Sequence, residues 1–231
     1  SGYGNPTGGT TEISGLKRHL VCVDRQTGKE QWRSTIESAS REDAYQGFIT
    51  EHGYASSTPV SDGEMIVSFF GKAGVVAHDM QGKRLWQTDV GQQSGSRLWG
   101  SSGSPILAGN VVIVNASDES LSIRGLDKTN GKTVWKTTRS VDYSKTPVNQ
   151  RKAYSMPIII PRGEGTQLVS NGAKGIFSYD PVTGKELWRV QHHGFSNAPR
   201  PVFGHGLVFT TVDHDHPELW AIRAGGSGDV T

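Results

Sequence analysis

Cysteine is nearly absent: Cys22 is the only one among 231 residues, so no disulfide can form within the chain. Charge of either sign is not in excess. The formal net charge is +2, with no basic stripe, so nucleic acid is not an implied partner. No apolar run approaches the ~18 residues of a membrane-spanning helix. Helical periodicity is close to missing as well; only the polar stretch 36–46 could hold a short helix. No nucleophile elbow, phosphate loop or dinucleotide fingerprint occurs, because the glycine-rich stretches sit in turns without a strand–helix context. What is abundant is glycine, 30 residues, together with six tryptophans. That combination suits many short strands joined by tight turns.

One pattern occurs four times: a small residue, any residue, Asp, a turn, Gly-Lys, two residues, Trp. Its copies contain Asp24, Gly28 and Trp32; Asp79, Gly82 and Trp86; Asp127, Gly131 and Trp135; and Asp180, Gly184 and Trp188. The tryptophans return at intervals of about 50 residues, which four strands and their connections fill. A fifth copy starts at Trp220, with Arg223 in the Asp place. Each Asp can accept bonds from the backbone N–H groups just ahead of it, and each Gly can take positive φ where a hairpin reverses. The tryptophans are expected to be mostly buried, each near a blade interface, and Cys22 is expected to be a small core residue. Pro59, Pro105, Pro157 and Pro201 each precede Val or Ile. Proline cannot donate to a strand ladder, so these segments are read as the inner edge strand of each blade. Second strands come next, at 65–70, 111–116, 167–171 and 206–211.

The fold class expected is all-β: a β-propeller of four-stranded antiparallel blades, present as an incomplete, open arc. Residues 1–17 read as a flexible lead-in, with 1–16 poorly ordered. Residues 18–231 read as one array: a partial blade at 18–38, blades at about 55–90, 101–139 and 153–191, and a partial blade at 196–231. Closure into four blades is the competing arrangement; it would put Val21 and Ile222 in one sheet.

These four spaced motifs resemble the pyrroloquinoline-quinone-repeat propellers, the quinoprotein alcohol dehydrogenase-like and BamB-like family, in which a tryptophan-docking motif joins neighbouring blades. The resemblance covers nearly the whole chain after about residue 18. It implies rings of seven or eight blades, so further sequence on at least one side, and an exported, periplasmic or cell-envelope location. It admits two functions. One is a non-catalytic scaffold that binds a protein, a peptide or a small ligand and carries no cofactor. The other is a quinone-dependent oxidoreductase, or a degenerate relative. That second reading needs pyrroloquinoline quinone with calcium, a catalytic Asp and commonly a vicinal cysteine pair. Cys22 cannot supply such a pair, and no residue matches the calcium ligands, so the scaffold is the expected function.

Function must sit on a site. The motif turns are tight, whereas the loops on the opposite ring face are long, at 34–56, 90–100, 139–152 and 191–197. Binding candidates on that face are His52, Tyr54, Arg97, Trp99, Tyr154 and Arg200, with Asp118 and Glu119 in a short second-to-third-strand loop. Trp99 lies outside the repeated motif and could be a stacking platform. The run Asp213-His214-Asp215-His216 is the densest set of potential metal ligands, which His192 and His193 would supplement if the loops met. An extended strand would put His214 and His216 on one face. A polar hairpin loop is the expected reading, with no metal.

Overall fold

The computed structural model describes residues 13–47, 49–93, 95, 98–115 and 121–231. Among them the chain is all-β. Strands β1 (Lys17–Val23) and β2 (Glu30–Glu37) pair as a two-stranded sheet. Helix α1 (Ile49–His52) comes next. A four-stranded sheet holds β3 (Val60–Ser61), β4 (Met65–Phe69), β5 (Val75–Asp79) and β6 (Arg84–Thr88). The next holds β7 (Ile106–Ala108), β8 (Val111–Asn115), β9 (Ser122–Asp127) and β10 (Thr133–Thr138). The fourth blade has β11 (Ile158–Arg162), β12 (Gly165–Asn171), β13 (Gly175–Tyr179) and β14 (Glu186–Gln191). The fifth sheet has three strands, β15 (Val202–Gly204), β16 (Leu207–Val212) and β17 (Glu218–Arg223). Each of the four prolines lies just ahead of the inner strand of its sheet. No sheet closes on itself, and β1 and β17 belong to different sheets, so the four-bladed closure does not occur.

The motif behaves as its chemistry dictates. Asp24 Oδ1 accepts from the N–H of Gln26 and Thr27 at 3.1 and 2.7 Å, and Asp180 Oδ1 from Val182 and Thr183 at 2.9 and 2.8 Å. The Thr27 hydroxyl, with the backbone bonds, holds the Asp24 carboxyl below the ordinary carboxylate range, and the backbone bonds do the same for Asp180. The glycines do more than reverse the chain. Gly82, Gly131 and Gly184 have φ of +85, +73 and +72°, and a Cβ on each would stand 2.5 Å from the ring of Trp32, Trp86 and Trp135 in the preceding blade. Each tryptophan therefore lies on the next blade's bare glycine. Trp32 Nε1 donates to Met80 O at 3.1 Å and Trp86 Nε1 to Lys128 O at 2.9 Å. Two residues on, Thr88 and Thr137 donate to Gly131 O and Gly184 O at 2.8 and 2.6 Å.

The hydrophobic clusters accordingly straddle adjacent blades. Trp86 packs with Val112 and Leu126, Trp135 with Leu168 and Phe177, and Trp188 with Val208 and Ile222. A second seam runs along the inner strands. Ser57 Oγ donates to Gly103 O at 3.1 Å, Asn115 Nδ2 to Ser155 O at 2.7 Å, and Ser155 Oγ to Pro199 O at 2.8 Å.

Several expectations need correction. Trp32 and Cys22 are half-buried. They face each other across a sheet of only two strands, which covers less of either residue. The stretch 36–46 forms no helix: Ile36 lies fully buried within β2, and the one α-helix among the described residues starts at Ile49. Leu16, expected in a poorly ordered lead-in, is 2% exposed, whereas residues 1–12 lie outside the described residues. After β17 the chain does not stop at a bare third strand. β18 (Gly228–Asp229) runs parallel to β14 and extends the fourth blade. Asp229 fixes it there, 3.2 Å from Arg189 Nη2 and accepting from Gln191 Nε2 at 2.7 Å. The fourth tryptophan packs against the fifth sheet, whose motif copy has Arg223 in the Asp place. Trp188 Nε1 instead donates to Gln167 Oε1 of its own blade at 2.8 Å.

Candidate functional site

The loops opposite the motif turns converge, and their side chains form two linked groups. The first is polar. Arg18, on β1, is 1% exposed; its Nη1 lies 2.7 Å from Glu42 Oε1, and its Nε donates to Tyr54 O at 3.1 Å. The guanidinium also covers the Tyr54 ring at 5.4 Å. Tyr54 OH donates to Asp43 O at 2.6 Å, and burial, with the nearby Glu42 carboxylate, pushes the phenol up to about 12. Lys72 Nζ sits 2.8 Å from Asp43 Oδ1. A cavity of about 30 Å³ opens among Arg18, Glu42, Tyr54, Lys72, Gly100 and Lys152, enough room for a water.

The second group is aromatic. The rings of Trp99 and Tyr154 are 5.9 Å apart, those of Trp99 and His214 6.0 Å, and those of His214 and Phe195 6.3 Å. His52 joins the groups. Its Nε2 lies 2.9 Å from Trp99 O, which can only accept, so Nε2 carries the proton and Nδ1 accepts from Ser56 Oγ at 2.5 Å. Lys152 Nζ stands 5.3 Å from the Tyr154 ring centre and donates to Gly100 O at 3.0 Å.

Of the residues singled out in the sequence, His52, Trp99 and Tyr154 thus come together, and Tyr54 anchors the neighbouring polar group. Arg200 is exposed between Pro199 and Pro201. Arg97, Asp118 and Glu119 lie outside the described residues. Arg18, Glu42, Lys152, Phe195 and the stacking role of His214 were not legible. Single residues scattered over the chain carry no spacing signal.

The histidine–aspartate run is the loop between β16 and β17. It bends rather than extending, so His214 and His216 do not share a strand face. His193 Nε2 pairs with Asp213 at 3.3 Å, and His214 turns to the aromatic row. Among the described residues no three His, Cys, Asp or Glu side chains converge on a metal position. A calcium–quinone site needs clustered hard oxygen donors, but Glu42 and Asp43 are engaged with Arg18 and Lys72. The described residues do not fit that group.

His192 closes the outer end of this face. It is 8% exposed, accepts from Gly194 N at Nδ1 at 3.0 Å and meets Trp220 edge-on. Burial, with His193 and Lys174 adding, lowers its pKa to about 4. The unfolded chain therefore binds a proton between its ordinary pKa and 4 that the folded chain refuses. The stabilisation is complete above pH 6.5 and is lost as pH falls toward 4. We expect a fall of about 3 kcal/mol across that window, absent in His192→Gln. Thermal unfolding of both proteins from pH 7 to 4 measures it; parallel profiles would refute the assignment.

Comparison with known proteins agrees with this architecture. Residues 16–157 match the sequence profile of a PQQ-repeat family described as outer membrane protein assembly factor BamB. The BamB structure from Moraxella catarrhalis superposes with a TM-score of 0.64 at 17% identity, over 95% of this chain and 58% of that one. A europium-containing methanol dehydrogenase gives 0.60 at 14% identity, over 90% of this chain and 46% of that one. The computationally designed Ika8 protein gives 0.52 at 16% identity, over 87% and 52%. The chain thus spans between 46% and 58% of the length of these structures, and at such identities the likeness is one of fold. No curated protein matches in sequence.

Proposed function

Because the chain belongs to the PQQ-repeat β-propeller family whose profile is described as outer membrane protein assembly factor BamB, we propose that it is a non-catalytic binding scaffold of the cell envelope whose loop face engages a protein or peptide. One observation carries this reading. Three separate loops bring half-exposed Trp99 against Tyr154 and exposed His214, while Glu42 and Asp43 nearby are spent in ion pairs. Aromatic anchors on a rigid ring, with acids already neutralised, suit recognition better than proton transfer. The polar group under Tyr54 holds the 38–56 loop in place for that purpose.

Two measurements test it. A photo-crosslinking residue at Trp99 or His214 in the whole protein, in its host cell, is expected to give a discrete protein adduct. The same residue at Leu85 or Val134 on the outer strands is expected to give none; equal labelling at all four positions would sink the loop-face reading. Titration with pyrroloquinoline quinone and calcium is expected to leave the unfolding midpoint unchanged. A bound ligand at 100 times its dissociation constant would add about 2.7 kcal/mol. Stoichiometric, calcium-dependent quinone binding would replace the scaffold with a redox function.

A further inference from the structure

We propose that the open edge of β1 is a docking site for one extended strand of a partner protein, added antiparallel and recognised through its backbone. In the three complete blades the third strand, β5, β9 or β13, is paired on both sides. β1 is the equivalent strand of the leading sheet, and among the described residues it pairs with β2 alone. Asp24 N donates to Lys29 O across the hairpin, and backbone groups alternate along a strand, so His19 and Val21 turn their N–H and C=O groups to the open edge. Such edges are ordinarily guarded by proline, bulges or charge. Residues 19–23 hold no proline, lysine, arginine or acid, and the extra residue of the β1–β2 irregularity, Gln31, lies on β2. Val21 and Val23 are 38% and 54% exposed.

The space beside that edge is shaped for a strand. A cleft of about 420 Å³ lies between Leu20 and Val21 on one side and Ser57, Pro59, Ser68 and Phe70 of the next blade on the other. Ser68 Oγ lines it, and this side chain, in a residue 2% exposed, has no hydrogen-bond partner among the described residues. A buried hydroxyl is normally bonded, so its missing partner belongs to whatever fills the cleft. Residues directly opposed across an antiparallel pair share a face. The occupant residue opposite Leu20 therefore points into the cleft, and a serine or threonine there supplies the partner. Its neighbours two positions away meet Pro59 and Phe70, which suits valine or isoleucine. Charge does not choose the occupant, because Lys17 is already paired with Glu37 and Arg33 with Glu30. The same shared face rules out a second copy of β1. That strand would bring its own Pro59 and Phe70 into space already held by the first pair. A lone strand has no such platform.

The probe is a fluorescein-labelled peptide, Thr-Val-Thr-Ser-Thr-Val-Thr, followed by anisotropy with the whole protein. Set antiparallel, its third residue lies opposite Val21 and its serine opposite Leu20. Saturable binding that salt changes little is expected. N-methylation of the third residue removes a bond to Val21 O and should weaken binding about tenfold or more. The N–H of the fourth residue points away from β1, so N-methylation there should cost little. Replacing the peptide serine by valine should weaken binding several-fold to the unsubstituted protein but not to Ser68→Ala. That variant deletes only an unpaired hydroxyl, and its unfolding midpoint checks that the fold is kept. Several outcomes overturn the proposal: no saturable binding, equal losses from the two N-methylated peptides, or an equal effect of the serine replacement on both proteins. Slow hydrogen exchange of the His19 and Val21 amides in the protein alone would also overturn it, because the chain then fills its own edge. So would self-association in sedimentation that the peptide reverses, which would make the occupant a second copy. No readout involves Trp99 or His214, so the loop-face reading stands or falls separately.

Discussion

Replacing Trp135 by alanine is expected to lower the unfolding free energy by about 3–5 kcal/mol, the range for emptying a large packed aromatic site. The ring is 8% exposed and packs with Ile113, Leu168 and Phe177 from two blades. It covers both Gly125 of its own blade and Gly184 of the next, where a Cβ would come within 2.3 and 2.5 Å of ring atoms. The same contact can be attacked from the other side. Gly184→Ala adds a methyl into the ring and also strains a residue at φ +72°. Both variants should loosen the junction between the third and fourth blades, read as faster hydrogen exchange in β10 and β13. Chemical denaturation measures the cost. A loss below about 1 kcal/mol for Trp135→Ala would remove the docking role.

Arg18→Ala is expected to cost a similar amount, about 3–5 kcal/mol, by a different route. The Arg18 and Glu42 side chains are 1% and 4% exposed, so removing the guanidinium leaves a buried carboxylate without its counter-charge. It also frees Tyr54, whose carbonyl and ring both lean on Arg18. The pair itself contributes little net stability, because its attraction must first offset two desolvation costs. The double variant Arg18→Met with Glu42→Leu should therefore be clearly more stable than Arg18→Ala. A double variant whose loss equals the two single losses added together would show that the groups do not interact.

The motif was legible because each part acts over a few residues. An Asp that accepts from the next N–H groups, a glycine at positive φ and a proline ahead of an edge strand all leave their mark at fixed offsets. Their recurrence located the hairpins, and the family likeness came from them. The fate of each copy was less legible. Trp32 and Trp188 have the same local sequence pattern. One is half-exposed against Met80 and Gly82, whereas the other is fully buried and bonded to Gln167. The difference lies in the neighbouring blade that each ring meets. Trp32 meets a complete motif; Trp188 meets a sheet with Arg223 in the Asp place, and β18 lies alongside its own strand.

The candidate site was read in outline. The choice of face, and His52, Tyr54, Trp99 and Tyr154 on it, came from loop length and residue type. The histidine–aspartate run is the loop expected of it rather than an extended strand, because Asp213 takes φ 72° and donates its N–H to Asn197 Oδ1, turning the chain at once.

By itself, then, the sequence determined the repeating hairpin, the inner strands and the all-β class, since short-range hydrogen bonding and backbone preference specify them. Only the tertiary structure decided that each motif glycine is a seat for the preceding tryptophan, that Arg18 and Glu42 form a buried pair, and that Trp99 meets His214. Those contacts join residues from about two dozen to more than a hundred positions apart, whose approach depends on the angle between packed blades. No local pattern encodes that angle; it emerges when the hydrophobic faces of neighbouring sheets bury each other.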